Sequence, residues 1–433
     1  MYQAGEIRVK VRSICVYVIF LYMSFLKIER LPFHYGWVIV FTGTISMIAC
    51  LGLGRFALGM LLPSMAVSLN LTYSEMGFIS TGNFLGYLVS VLLSGMIASR
   101  IGPSRLIFVA LLIIGCSMIM VSRTDDFRHV LLLYTVTGIG SGASNVPLMG
   151  LVSQWFTSRR RGRAAGFIVI GSGFAIIFSG KFIPFINNLY GTNGWRISWL
   201  LLGCIVIVIA FIAFLLLRDR PENIGLKPMG DEKTLIDESR YFSSGRSIYK
   251  DSIIYHLGAI YFLFGYTYVI YTTFVVTSLV RDRGFSEAVA GNFWAWVGFL
   301  SLFSGPVFGS LSDRLGRKSG LITVFSFMLS SYLLFASGMP GFFLYLSIFL
   351  FGVVAWSIPS IMAAAAGDYA GPQRAVAVFG FITFIFGLGQ ITGPAVAGLL
   401  AESTGSFSSS FYMAAIFAGV AILLTAFLRR PGH

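Results

Sequence analysis

The chain has 433 residues, 56% of them hydrophobic and only 11% charged, with a formal net charge of +14. Soluble domains are about 25% charged, so a water-soluble enzyme is excluded; 15% aromatics and long Leu, Ile and Phe runs exclude a disordered or fibrous chain. What remains is a protein that crosses a membrane repeatedly.

A crossing helix needs about 20 apolar residues to span a hydrocarbon core of roughly 30 Å, and a lone strand would leave its backbone unpaired in lipid. In chain order, residues 13–26 form an apolar run too short to span, flanked by basic residues. Segment 1–33 is therefore expected to be an interfacial or poorly ordered cytoplasmic extension, a removed, signal-like segment being the alternative. Six spans follow at Tyr35–Leu62, Ser74–Ala98, Arg105–Val121, His129–Phe156, Ala164–Ile186 and Trp195–Leu217. After a polar stretch come Ile253–Val280, Ala288–Leu311, Gly320–Ala336, Phe342–Ala366, Ala375–Leu400 and Ser410–Leu428. The expected fold is an all-α membrane protein of 12 transmembrane helices in two pseudo-symmetric six-helix bundles, 34–217 and 252–433, joined by a cytoplasmic linker at 218–251.

The basic balance marks topology, not nucleic acid. With the amino terminus inside, 24 of the 31 Lys and Arg fall on the cytoplasmic side, six on the outer side and one, Arg55, within a span. That positive-inside asymmetry predicts cytoplasmic termini. Cys15, Cys50, Cys116 and Cys204 lie in apolar runs without paired spacing, and the four histidines are scattered. No disulfide framework, metal site or cofactor is indicated.

The two halves repeat. Gly95 and Gly309, Gly102 and Gly316, Gly166 and Gly380, and Gly173 and Gly387 are each 214 residues apart. A constant offset at several glycines indicates an internal duplication, and two six-helix halves around a central cavity is the parallel-repeat transporter architecture.

The loop Gly309-x-x-x-Asp313-Arg314-x-Gly316-Arg317-Lys318 is similar to the cytoplasmic loop motif of the major facilitator superfamily. Arg161-Gly-Arg-Ala-Ala-Gly166 and Gly389-x-x-x-Gly393-Pro394 support the resemblance, which runs from about Tyr35 to Arg430. LLRDRPENIGLKP after the sixth span and Tyr35-Gly-Trp look like bacterial permeases of the monocarboxylate and oxalate/formate groups, while GRFALGMLLPSM and NVPLMGLVSQWF look like a branch of unassigned substrate. The resemblance implies a bacterial inner-membrane permease, a monomer, working by alternating access. It implies that the 309–318 loop holds the inner gate, a role carried to Asp313, Arg314, Gly316, Arg317 and Lys318, with Asp368 and Arg374 as expected partners. Two departures stand out. Ser99 replaces the acid of the first-half loop, and Gly180-Lys181 stands where the repeat mate has Gly393-Pro394, which weakens a proton/drug antiporter reading.

Arg55 lies 18 residues after Trp37, about 27 Å along a helix, with apolar sequence on both sides. A cation at that depth is costly and should face a cavity or partner; its planar fork suits a carboxylate or phosphate. Gly52 and Gly59 on its face are expected to leave space beside the guanidinium. The competing reading is structural packing or snorkelling from the outer end. Lys181 is a second candidate cation, near enough to the outer end to snorkel. Tyr261, Tyr268 and Tyr271 are candidate hydrogen-bond donors to an oxyanion, or members of an aromatic seam. Asn145, Trp356 and Gln390, like Asn83, lie in spans and either contact substrate or bridge helices. The absence of any carboxylate at mid-membrane argues against a cation carrier or an internal proton relay. The expected function is transport of a small organic anion. Efflux of drugs or metabolites is the alternative, and a membrane enzyme or sensor lacks the His/Asp cluster or cytosolic domain it would need.

Overall fold

The computed structural model describes residues 33–230, 251–339, 341–371 and 374–429, except the side chains at 158 and 159. The 13–26 run and residues 231–250 of the linker lie outside these ranges. The apolar runs form helices: α1 (Gly36–Ser68), α2 (Tyr73–Ile101), α3 (Pro103–Val121), α4 (Phe127–Trp155), α5 (Ser158–Tyr190) and α6 (Gly194–Leu216). The second set is α7 (Ser252–Asp282), α8 (Glu287–Leu315), α9 (Arg317–Ala336), α10 (Gly341–Ala370), α11 (Ala375–Thr404) and α12 (Ser408–Ala426). Ten stretches of the described residues are long and apolar enough to cross a membrane; one of them, Arg160–Leu216, takes in most of α5 and all of α6 through a 3-10 turn at Gly191–Asn193. The Gly- and Ser-rich α4 is not among the ten.

The duplication is visible in the packing. In the first six helices α2 packs on α4, α3 on α4 and α6, and α1 on α5; in the last six α8 packs on α10, α9 on α10 and α12, and α7 on α11. The α2–α3 and α8–α9 turns each pivot on a glycine of nearly the same conformation: Gly102 has φ 91° and ψ 142°, Gly316 φ 89° and ψ 154°. Only glycine adopts that region without strain, which accounts for this pair of the 214-residue offset. The glycines of α4 and α11 serve close approach: a Cβ on Gly138 would stand 2.0 Å from Asn83 O, and one on Gly393 2.5 Å from Tyr266 O.

Two helices are irregular. The middle of α1, Ile48–Phe56, is a π-helix. In α10 the helix breaks at Ala355–Trp356, because Pro359 has no N–H for the Ala355 carbonyl one turn back. Ser304 of α8 repairs the break, its Oγ accepting from Trp356 N at 3.2 Å and its carbonyl from Ser357 Oγ at 3.1 Å.

The halves meet through α2–α11, α5–α8 and the second part of α1 against α7. They do so unevenly. At the end away from the two described chain ends they are clasped: Asn187 donates to Glu287 (2.6 Å), Ser74 N to Glu402 (3.2 Å) and the Tyr73 hydroxyl to Asp282 (3.2 Å). Glycines allow the contact there, since a Cβ on Gly291 would stand 2.1 Å from Gly180 O and one on Gly77 2.4 Å from Pro394 O. At the basic end, which carries Arg100, Arg105, Arg314 and Arg317, the corresponding positions are open. Gly95, Gly166, Gly305 and Gly380 have no heavy atom within 4 Å of a Cβ position, and Gly309 has only Ser360 Oγ at 3.8 Å. The first part of the linker closes over one half alone: Trp155 Nε1 donates to Arg218 O at 2.8 Å, and Met229 N to Trp155 O at 2.9 Å.

Candidate functional site

A π-helix is wider than an α-helix and leaves carbonyls poorly paired within its own turns. Neighbouring side chains take them up. Ser141 Oγ donates to Cys50 O at 2.7 Å, the Tyr134 hydroxyl to Arg55 O at 2.9 Å, and Asn83 Nδ2 to Gly54 O at 3.5 Å and Tyr134 O at 3.1 Å. The segment that carries Arg55 is thereby fixed to α2 and α4. Ser141→Ala is expected to cost about 1 kcal/mol, read as a thermal transition lowered by a few degrees in detergent.

Arg55 is 8% exposed. Its guanidinium carbon lies 4.0 Å from the Tyr87 ring centre and 4.4 Å from that of Phe84, two α2 residues one turn apart. Nε and Nη2 are buried without a hydrogen-bond partner, and among the described residues no carboxylate pairs with the group. Beside it is a small cavity, with room for about one water molecule in this state, lined by α1, α2, α4 and α7. Gly59 lines it as expected, and also lets α1 approach α7, a Cβ there standing 2.8 Å from Thr272 O. Gly52 does not line it: its Cβ position is 2.0 Å from Ala175 Cβ, so this glycine serves the α1–α5 contact instead of leaving room for the guanidinium.

Most of the polar residues singled out in the spans converge here from both halves. Gln390 Nε2 bonds the Tyr268 hydroxyl, which also interacts with the Arg55 side chain. Trp356, at the α10 break, has its ring 5.1 Å from Phe56 and 5.7 Å from Tyr268, with Nε1 buried and unpartnered. Asn145 Nδ2 donates to the Tyr87 hydroxyl at 2.8 Å. Tyr261 joins at one remove, its ring 4.4 Å from Phe386, which in turn stacks on Tyr268 at 6.0 Å. Two candidates lie elsewhere. Lys181 is exposed and bonds Asn292 at the clasped end, and Tyr271 is in the second-half core, its ring 4.0 Å from Phe351 and its hydroxyl 3.3 Å from Ser347. Sequence reasoning passed over Phe56, Phe84 and Tyr87. The signal was the three-residue spacing of Phe84 and Tyr87, hidden among many other aromatics.

The loop residues lie at the open, basic end. Arg317 pairs with Asp313 one turn back and, through Nε at 2.6 Å, with Asp368 of α10. Lys318 bonds Ala426 O of α12. Arg374 does not join Asp368; its Nε donates to Ala370 O at 3.2 Å. Arg314 is exposed, and Gly316 supplies the turn. Ser99, in place of the first-half acid, bonds only Met96 O of its own helix at 2.7 Å, and Asp219 from beyond α6 instead accepts from Ser104 N at 2.8 Å.

Residues 47–426 match the family described as "Uncharacterised MFS-type transporter YbfB". The chain belongs to this family of MFS-type transporters. It is thus a multi-pass membrane transporter and not an enzyme. Among curated relatives, the hexuronate transporter of Bacillus subtilis is 24% identical over 405 residues, covering 86% of this chain and 90% of that protein. The human monocarboxylate transporter 2 is 22% identical over 354 residues, covering 78% and 73%. The D-xylose-proton symporter structure superposes with a TM-score of 0.74 at 15% identity over 92% of this chain and 99% of that one. A bacterial homolog of the human lysosomal transporter Spinster, in an inward-facing and unoccupied conformation, gives 0.71 at 15% identity over 90% and 96%. These likenesses concern the fold.

Proposed function

We propose that this MFS-type transporter carries a small organic anion of carboxylate type, secondary-active or facilitative, by alternating access about the Arg55 cavity. The observation that carries the reading is the buried Arg55 guanidinium with Nε and Nη2 unpartnered and no carboxylate beside it. A cation desolvated in this way attracts an anion, and its fork matches a carboxylate's two oxygens. Tyr268, Trp356 and Gln390 face it from the second half and Asn145 steadies Tyr87 beneath it. Relatives named for hexuronate and monocarboxylate support the same class.

In this proposal the chain lies in a bacterial inner membrane with both ends of the chain and the basic face in the cytoplasm, acts as a monomer, and is drawn in its inward-open state. The Asp313–Arg317–Asp368 cluster then stands ready at the open mouth, to close against the first half in the opposite state. Uptake into proteoliposomes of a panel of mono- and dicarboxylates, with and without a pH gradient, tests the reading. Accumulation or exchange of at least one is expected. If none accumulates, exchanges or raises thermal stability, or if apolar cations are carried instead, the anion reading falls and the family assignment stands.

A further inference from the structure

The cavity beside Arg55 has a second unmet valence, of opposite sense. Asn83 is 1% exposed and lines the cavity, and its Oδ1 is buried with no hydrogen-bond partner. Its amide orientation is not free. Nδ2 faces two backbone carbonyls, Tyr134 O at 3.1 Å and Gly54 O at 3.5 Å, which can only accept and so require the N–H side of the amide. A flip would set carbonyl oxygen against carbonyl oxygen, so the oxygen of the amide is held as an acceptor. None of the other polar groups on the wall bonds it. Ser80 and Thr273 hydroxyls bond each other at 3.2 Å across the two halves, and Thr272 Oγ1 donates to Val269 O at 3.3 Å.

We infer that the transported anion also carries a hydrogen-bond donor near its carboxylate, and that Asn83 is the specificity-determining residue that accepts it. The simplest molecule with both features is a 2-hydroxy carboxylate. Its two carboxylate oxygens meet Arg55 Nε and Nη2, and its hydroxyl donates to Asn83 Oδ1. This rests on the anion reading above and narrows it. A site with a buried acceptor discriminates strongly against a ligand lacking the matching donor, because the acceptor is then left dry and unpaired.

The test is calorimetric titration of the full chain in nanodiscs with three probes of nearly equal size: lactate, propionate, which lacks the oxygen, and pyruvate, whose oxygen has no hydrogen. Lactate is expected to bind at least tenfold more tightly than either. Equal binding of all three, pyruvate equal to lactate, or no binding of any probe overturns the inference and leaves the anion reading to the carboxylate panel. Asn83→Ala should bring the lactate-to-propionate ratio to within about threefold, by lowering lactate affinity much more than propionate affinity. A ratio preserved in that variant overturns the assignment to Asn83. Should the variant fail to fold, the lactate-to-pyruvate ratio of the unaltered protein alone decides whether a donor is required.

Discussion

Arg55→Gln is expected to lower carboxylate uptake at subsaturating substrate by at least ~100-fold, the scale of losing a charge-assisted bidentate contact in a desolvated site. Thermal stability is expected to stay within about 2 °C of the unaltered protein or to rise. The two halves of this result have different causes. Transport falls because no other cation among the described residues takes its place: Lys181 is exposed at the clasped end and Arg281 is spent on Tyr73, 4.3 Å from its ring. Stability holds because a buried charge without a carboxylate partner costs desolvation energy, offset by stacking on Phe84 and Tyr87 at 4.4 and 4.0 Å and by the Tyr268 hydroxyl. Arg55→Lys is expected to behave nearly as badly, since an ammonium on a flexible stem neither stacks between two rings nor presents a planar fork. Radiolabelled uptake into proteoliposomes and a thermal melt of the same preparation check both arms. Uptake within about threefold of normal, or a large loss of stability, would make Arg55 a packing residue.

The second large effect concerns the seam between the halves. Gly291→Leu is expected to drive the clasped end apart, because even a Cβ at that position would stand 2.1 Å from the backbone oxygen of Gly180, and backbone cannot swing aside. Spin labels on the loops following α1 and α11 should then report longer separations, with Asn187 and Glu287 parted. Gly380→Leu is expected to act at the other end. Nothing lies within 4 Å of that position in the present state, so the labels should keep their separation while uptake falls, the added bulk obstructing closure of the basic end. A normal label distance in Gly291→Leu would show that the seam yields elsewhere.

The contrast between legible and hidden parts of the site has a physical basis. Arg55, Tyr268, Gln390, Trp356 and Asn145 were visible because a polar or amphipathic group inside an apolar run is expensive and therefore rare. Phe56, Phe84 and Tyr87 were invisible for the opposite reason: 41 Phe and 19 Tyr dilute any aromatic signal. Tyr271 is only three residues from Tyr268 yet lies apart from it, because on a helix buried on nearly every side the neighbouring face belongs to the Phe351 core. The turn glycines Gly102 and Gly316 were legible, since φ near 90° with ψ near 150° demands glycine whatever surrounds it. The π segment was not, as neither its Gly52 nor its Gly54 distinguishes a wide turn from a close helix contact.

That π segment has a mechanical consequence. By giving its carbonyls to Ser141, Tyr134 and Asn83, α1 binds Arg55 to the first half, whereas Tyr268, Gln390 and Thr272 ride on the second. The walls of the cavity therefore belong to two bodies, and no displacement of one against the other can leave the arrangement around the guanidinium unchanged. In the proposed cycle, a ligand held by both bodies would act as a strut whose strength depends on their angle, so that occupancy and tilt become a single variable and the movement that loosens the grip also opens the way out.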